Sequence, residues 1–134
     1  MFFMNQKSYI KKLADKFGIV MCKDVHTPAD SNSELLKMQD DEEFVPKFPF
    51  KEQVGALMYI MTCTRPDIAN AIGEVAKYCE RYNKSHWMAA KRILKYLNTT
   101  MNHGIRFNGL NKGELVSYVD ANWASDIDTR SSTT

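Results

Sequence analysis

The sequence is poor in several features that mark well-known classes of protein. Its three cysteines are an odd number without Cys-x-x-Cys spacing, which argues against a disulfide framework and favours an intracellular location, cytoplasmic or nuclear. It has no apolar run near the ~18 residues that a membrane-spanning helix needs, so no membrane partner is expected. It also lacks a glycine-rich phosphate loop and the second Cys/His pair that a zinc finger requires.

One stretch of the chain has no charged residue, and another has no acidic residue. No charged residue lies between positions 53 and 64, and no acidic residue lies between positions 84 and 106. The net charge of +2 is too small to indicate a nucleic-acid-binding protein, but this segregation leaves an acidic part at 29–43 and a basic part at 84–106. With 44% hydrophobic and 25% charged residues among 134, the chain has the composition of an ordinary globular domain.

The first half of the chain predicts one helix and a long connection. The helix spans positions 6–17, with Ser8 as its candidate N-cap and Gly18 as its C-terminal stop. A short strand is predicted immediately before it, at positions 2–5. Positions 21–50 lose helical periodicity, which predicts a long, exposed connection.

Three further helices follow at short intervals. The helix over 51–63 has no charge beyond its first turn, so it is predicted to be central and covered on several sides. The next helix begins near Pro66, and the last begins after Ser85, its candidate N-cap. The predicted inward-facing residues are Val54, Leu57, Met58 and Met61 on the first of these helices, Ile68, Ile72, Val75, Cys79 and Tyr82 on the second, and Trp87, Ala90, Ile93, Leu94 and Leu97 on the third.

Beyond position 100 the pattern changes to short strands. Positions 104–107 and 115–120 are predicted strands, separated by Asn-Gly and Asn-Lys-Gly turn signals. The predicted fold class is α+β, mainly helical with about four helices, and with short strands at the C-terminal end.

Asp120, at the end of the second of these strands, is the candidate catalytic and metal-binding residue. Metal-dependent nucleases hold Mg²⁺ with carboxylates at strand ends, but such a site needs several carboxylates. The simpler interpretation of Asp120 is a turn residue. Asp126 and Asp128 add carboxylates, but they lie in a polar stretch typical of an exposed loop.

Lys91, Arg92 and Lys95 are the candidate nucleic-acid-binding residues. They share one arc of the last predicted helix, on the solvent side and opposite its apolar face. Basic residues in such an arc can neutralise phosphates, although an ordinary solvated helix face has the same pattern. Trp87 could stack on a base, but its place on the apolar face favours core packing.

A set of short blocks, taken in order, gives the sequence a family likeness. The blocks are Gln-Lys-Ser-Tyr-Ile at 6–10, Lys-Phe-Gly at 16–18, Thr-Pro at 27–28, Val-Gly-Ala-Leu-Met-Tyr at 54–59, Thr-Arg-Pro-Asp-Ile at 64–68, His-Trp-Met-Ala-Ala-Lys-Arg-Ile-Leu-Lys-Tyr-Leu at 86–97, Gly-Ile at 104–105 and Tyr-Val-Asp-Ala-Asn-Trp-Ala at 118–124. Together they resemble the Pol polyprotein of copia-type LTR retrotransposons, over nearly the whole chain.

The resemblance implies a division of the chain into four regions. Residues 1–28 would be the end of a reverse transcriptase palm and 29–50 an acidic, proline-containing linker. Residues 51–100 would be a helical thumb and connection, and 101–134 the truncated start of an RNase H domain. Asp120 would match the first of the RNase H metal carboxylates, and its partner carboxylates are not among the matching blocks.

The resemblance also implies a function. We expect an incomplete piece of the RNA-directed DNA polymerase/RNase H region, inactive alone, whose ancestral role is to hold an RNA–DNA primer–template hybrid. The expected partners are such a hybrid or duplex and the remainder of Pol. No cofactor is expected for this chain, and Mg²⁺ is implied only for the intact enzyme. The alternatives are a helical protein-interaction module, a transposon remnant without function and, least favoured, an active metal nuclease that uses Asp120.

Overall fold

A computed structural model describes residues 2–19, 23–30, 35–36 and 48–107 of the protein. The elements, in chain order, are β1 (Phe2–Asn5), α1 (Lys7–Lys16), α2 (Phe50–Cys63), a 3₁₀ turn (Pro66–Ile68), α3 (Ala69–Ala76), α4 (Lys84–Thr99) and β2 (Gly104–Phe107). The fold is α+β and mainly helical, as predicted. The described helices include none that is long and apolar enough to cross a membrane.

The two strands form a small antiparallel sheet that joins the two ends of the described region. Phe2 lies opposite Phe107, and Asn5 lies opposite Gly104. Both strands were predicted, but their pairing was not, because more than 90 residues separate them in the sequence. The predicted strand at 115–120 lies outside the described residues.

Helix α1 begins one residue later than predicted and has a different N-terminus. Gln6 is the N-cap and makes no side-chain capping bond, whereas Ser8, the predicted cap, lies exposed in the first turn. Gly18 has a φ of 70°, a conformation that glycine adopts without the steric cost of a side chain. The predicted stop after α1 is therefore confirmed.

Helix α4, rather than α2, is the central helix of the bundle. It packs against α1, α2 and α3, whereas α2 packs mainly on α3 and α4. On α2 the side chains of Met58 and Tyr59 are 44% and 56% exposed. The prediction that α2 is covered on several sides is confirmed only in part: α3 and α4 cover one side and Tyr9 of α1 contacts Tyr59 on another, but Met58 and Tyr59 stay exposed. The absence of charge does not require burial, since much of a folded protein's surface is apolar. The buried residues of α2 are Phe50, Gln53, Val54, Leu57 and Ile60.

The apolar pattern of the following helices is confirmed with one change of length. Ile68, Ile72 and Val75 are buried, but α3 ends at Ala76, so Cys79 and Tyr82 follow the helix rather than belong to it. The inward-facing residues of α4 are buried as predicted: Trp87, Ala90, Ile93, Leu94 and Leu97. They share one core with Ile10, Leu13 and Ala14 of α1.

Asn83, not Ser85, caps α4. The Asn83 side chain accepts a hydrogen bond from the backbone N–H of His86 (3.2 Å), and Nδ1 of His86 accepts one from the backbone N–H of Asn83 (3.0 Å). This reciprocal pair satisfies two amide groups that a helix start otherwise leaves without partners. Because Nδ1 is the acceptor, Nε2 carries the proton, and it donates to the carbonyl of Leu36 (2.7 Å).

The predicted connection over 21–50 contacts the bundle at several of its described residues. The hydroxyl of Tyr78 donates to the carbonyl of Leu35 (2.9 Å), and that of Tyr82 donates to the carbonyl of Phe48 (2.6 Å). The ring of Phe48 stacks on Trp87, with centroids 5.0 Å apart. Most described residues of 23–30 are exposed, as expected, and so is Leu36. At Leu35 and Phe48 the connection is instead partly buried, and hydroxyl donors of the α3–α4 segment satisfy its backbone carbonyls there.

Candidate nucleic-acid interface

The three predicted basic residues lie on the outer side of α4. Counted at 100° per residue, Arg92 and Lys95 lie opposite the stripe that Ala90, Leu94 and Leu97 bury, and Lys91 lies about 90° from its centre. Each is partly buried rather than fully exposed. Long basic side chains commonly lay their methylene groups along a helix while the charged end stays in water.

Arg92 differs from the two lysines because it has a protein partner. Its Nη2 donates a hydrogen bond to Oγ1 of Thr27 (2.9 Å), and its buried Nε has no partner in the described part of the chain. Two turns further on, Oγ1 of Thr99 accepts a hydrogen bond from the backbone N–H of Val25 (3.0 Å). Arg92 therefore fixes the 23–30 segment along one side of α4, a role that the sequence did not reveal.

Lys91 and Lys95 have no acidic partner among the described residues. They lie one helical turn apart, so both ammonium groups can reach the same stretch of a phosphate backbone. Three other lysines of the described residues are ion-paired with glutamates. These ion pairs are Lys16–Glu52, Lys51–Glu80 and Lys77–Glu74.

Trp87 belongs to the core and not to the interface. It is 9% exposed, and its ring contacts those of Phe17 and Phe48. The interpretation as core packing is confirmed.

A buried arginine joins the start of the 3₁₀ turn to the end of α4. The guanidinium of Arg65 is 2% exposed and holds Asp67 through two hydrogen bonds, Nε to Oδ1 (3.0 Å) and Nη2 to Oδ2 (2.8 Å). It also donates to the carbonyl of Thr100 (2.9 Å) and to Oγ1 of Thr100 (2.8 Å). The hydroxyl of Tyr96 donates to Oδ2 of Asp67 (2.8 Å). We refer to these four residues as the Arg65 cluster.

The electrostatics of the Arg65 cluster indicate a structural role, in which its charges and hydrogen bonds stabilise one another. The hydrogen bond from Arg65 lowers the pKa of Asp67, against the opposing effect of its partial burial. Burial, followed by the hydrogen bond to Asp67, raises the pKa of Tyr96. The sequence predicted only that Asp67 would favour a helix start. The feature of the sequence that could have indicated the burial of Arg65 is the Arg-Pro-Asp triplet, which directly follows an uncharged helix.

The predicted metal site cannot be compared with the structure, because Asp120, Asp126 and Asp128 lie outside the described residues. Within residues 2–19, 23–30, 35–36 and 48–107, no group of three or more His, Cys, Asp or Glu side chains could hold a metal ion.

The chain is similar to several transposon proteins. It is 38% identical over 136 residues to the retrovirus-related Pol polyprotein from transposon TNT 1-94 of Nicotiana tabacum, and this match covers 98% of the chain and 10% of the polyprotein. It is 34% identical to the corresponding polyprotein from transposon RE1 of Arabidopsis thaliana, over 97% of the chain and 9% of that protein. The secreted RxLR effector protein 161 of Plasmopara viticola is 42% identical over 63% of the chain and 60% of its own length.

No family model matches the chain, and no solved structure matches it. The chain spans about a tenth of the length of the Pol polyproteins that it matches. Identity at this level over nearly the whole chain confirms the resemblance that the short blocks indicated. The chain therefore belongs to the copia-type, retrovirus-related Pol polyproteins of transposons, of which it corresponds to one segment.

Proposed function

We propose that this segment is the thumb and connection of the reverse transcriptase region, leading into the start of RNase H, and that it holds an RNA–DNA primer–template hybrid. The observation that carries the proposal is the pair Lys91 and Lys95. Both lie on the central helix of the bundle, both face outward, and neither has an acidic partner among the described residues.

The binding energy would come mainly from phosphate neutralisation. A basic side chain that contacts a phosphate releases condensed counterions, so the affinity falls as salt is added. Contacts of this kind position the duplex without reading its sequence. In the proposed complex Lys91 and Lys95 contact phosphates, while Arg92 positions the neighbouring 23–30 segment through Thr27.

We assign no polymerase or nuclease activity to the chain by itself. In this proposal the catalytic carboxylates belong to the longer polyprotein, Asp120 is one ligand of an RNase H site that other parts of Pol complete, and Mg²⁺ serves that complete site. The remainder of Pol is accordingly the expected protein partner, and the hybrid is bound inside the cell.

The test is a titration of the full chain with a fluorescently labelled RNA–DNA hybrid at several salt concentrations. We expect the logarithm of the affinity to fall linearly with the logarithm of salt concentration. The double variant Lys91→Ala/Lys95→Ala should weaken binding, and its salt slope should be smaller by about 1 for each phosphate that is no longer neutralised.

The matched control is Lys51→Ala/Lys77→Ala, which removes the same charge from lysines that are already paired with Glu80 and Glu74. This control should retain most of the affinity. Binding without salt dependence, or equal losses in the two double variants, would contradict the proposal.

A protein-interaction module is the second candidate function. It is favoured by the side chains of Met58 and Tyr59, which are adjacent on α2 and remain 44% and 56% exposed although the ring of Tyr59 contacts Tyr9 of α1. If this candidate is correct, the purified chain should self-associate in sedimentation experiments, the Met58→Ser/Tyr59→Ser variant should be monomeric, and neither form should bind the hybrid.

A further inference from the structure

The β1–β2 sheet has an apolar face that the proposed function does not use. Side chains that lie directly opposite each other in an antiparallel pair project from the same face of a sheet. The register therefore places four apolar side chains together on what we call the apolar face: Phe2, Met4, Ile105 and Phe107. The other face is mixed, because Phe3 lies there opposite Arg106.

The apolar face is open to solvent. Phe2 is 62% exposed, Phe107 is 49% exposed and Met4 is 38% exposed. The rings of Phe2 and Phe107 contact each other with centroids 6.1 Å apart, so the exposed side chains adjoin rather than lie scattered. None of them belongs to the core that the described residues of the helices form. Adjoining exposed apolar side chains are typical of an interaction surface.

The two strands need more support than they give each other. A two-stranded sheet is marginally stable in water by itself, and stable examples gain a third strand or pack an apolar face on another element. The strands β1 and β2 pack mainly on each other rather than on the helices. Within the described part of the chain, neither has a second strand as a neighbour. A further element is therefore needed to cover the apolar face.

The small size of the apolar face favours a covering element in the same polypeptide. Each partner in a stable interface between separate proteins contributes about 20–30 residues, far more than this face offers to a second copy of the chain. A tethered element has a high effective concentration and needs less contact. The chain corresponds to about a tenth of the Pol polyproteins that it matches. Because β1 lies at one end of this segment, the adjoining residues of a longer Pol polypeptide lie beside the sheet.

We infer that the apolar face is a docking surface for an apolar element in the remainder of the Pol polypeptide. The covering side chains are apolar, because Phe2, Met4 and Phe107 offer no side-chain hydrogen bond that would compensate a buried polar group. This inference rests on the proposed function, since it names the surface by which the segment contacts the rest of Pol. It does not depend on binding of the hybrid.

The test compares cysteines at neighbouring positions on the two faces, Met4→Cys on the apolar face and Phe3→Cys on the mixed face. Each is made in the full chain alone and in a chimera, in which this chain replaces the segment that it matches in the Pol polyprotein from transposon TNT 1-94. Labelling by a maleimide under native conditions is followed by mass spectrometry of the tryptic peptide that ends at Lys7. The labelling rate of Cys79, a partly buried free cysteine, checks that the helical unit is folded.

In the chain alone both introduced cysteines should react at similar rates, because Phe3 and Met4 are 49% and 38% exposed. In the chimera Met4→Cys should react roughly ten-fold more slowly, since a covered site reacts only when the contact opens. The rate of Phe3→Cys should stay close to its value in the chain alone. Should Cys79 react faster in the chimera than in the chain, the same pair is measured in the Pol polyprotein from transposon RE1.

Two results would overturn the inference. One is equal labelling of Met4→Cys in the chimera and in the chain alone. The other is protection of Met4→Cys already in the chain alone, which would mean that a second copy or the chain's own residues cover the face.

The titration with the RNA–DNA hybrid separates this inference from the proposed function. If Met4→Cys is not protected while Lys91→Ala/Lys95→Ala still weakens salt-dependent binding, the docking surface is wrong and the proposed function stands. If Met4→Cys is protected but hybrid binding shows no salt dependence, the docking surface stands and the hybrid-binding role is wrong.

Discussion

The buried guanidinium of Arg65 donates two parallel hydrogen bonds, of 3.0 and 2.8 Å, to the carboxylate of Asp67, which lies two residues further along the chain. The remaining donors of Arg65 point to Thr100, at the end of α4. A single side chain thus fixes the turn that follows α2 against the end of the central helix. This arrangement leads to the first two predictions.

Arg65→Ala should strongly destabilise the fold. The substitution removes four hydrogen bonds, so the carbonyl of Thr100 loses the Arg65 donor and the carboxylate of Asp67 keeps only the hydroxyl of Tyr96 as a side-chain donor. Asp67 is 40% exposed, so water can solvate the charge that is left behind, and the expected loss of about 2–3 kcal/mol comes from the hydrogen bonds and the packing of the buried Arg65 side chain. Urea unfolding followed by circular dichroism measures it, with Lys12→Ala as a surface control. A loss below about 1 kcal/mol would contradict the structural role.

The stability should fall in acid partly through Asp67. Its pKa in the folded protein is lowered from the ordinary 3.8, mainly by the hydrogen bond from Arg65, so the unfolded chain binds a proton at higher pH than the folded one does. The contribution of Asp67 to the free energy of unfolding is therefore present above pH 3.8 and is lost as the pH falls through the folded-state pKa.

Measurement of unfolding against pH for the protein and for Asp67→Asn tests this expectation. The difference between their free energies of unfolding should be largest near neutral pH and should shrink in acid. A difference that does not change with pH would show that the ionisation of Asp67 is not linked to folding.

Asn83→Ala should destabilise α4, and Ser85→Ala should not. Asn83 makes the capping bond to the backbone N–H of His86, so its loss should cost about 1 kcal/mol. Ser85 is exposed within the first turn, where alanine has the higher helix propensity. Thermal unfolding of the two variants distinguishes them, and a larger loss for Ser85→Ala would place the cap where the sequence alone had predicted it.

Gln53→Met should stabilise the protein. The Gln53 side chain is 0% exposed, and neither its Oε1 nor its Nε2 has a hydrogen-bond partner among the described residues, so its amide is desolvated without compensation. An apolar side chain of similar length should raise the free energy of unfolding by about 1–2 kcal/mol. Gln6→Met is the contrasting variant, because Gln6 accepts a hydrogen bond from the hydroxyl of buried Thr64, and it should lower stability. A change of the same sign in both variants would contradict this explanation.

Gly104→Ala should disrupt the β1–β2 sheet. A Cβ at this position would overlap the carbonyl oxygen of Met4 and lie 2.9 Å from Cβ of Asn5. Because these atoms belong to the paired strand, we expect a loss of about 1–3 kcal/mol. Gly73→Ala is the control: a Cβ there meets no described atom within 4 Å, and alanine in a helix is favoured by about 0.5–1 kcal/mol. Chemical denaturation of both variants should give changes of opposite sign.

The part of the fold that the sequence predicted best is α4, since its pattern depends only on neighbours within the helix. The same local pattern placed Lys91 and Lys95 on the outer side. Interactions between distant segments could not be predicted in this way. The partner of Arg65, Thr100, is 35 residues away, and the partner of Arg92, Thr27, is 65 residues away in a stretch without periodicity.

Errors also arose where several residues could fill one role. Asn83 and Ser85 are both good N-caps, and only the position of His86 in the folded helix decides between them. On α2, Met58 and Tyr59 are apolar enough for a core, yet α4 and α3 cover only the opposite side. Local propensity indicates which types of residue suit such a position. Packing in the folded protein determines which individual residue fills it.

The pairing of Phe2–Asn5 with Gly104–Phe107 has a consequence for the way a longer polypeptide can carry this unit. The chain enters and leaves the helical bundle through adjacent, oppositely directed strands. A longer polypeptide that carries this unit therefore enters and leaves the bundle at one point on its surface.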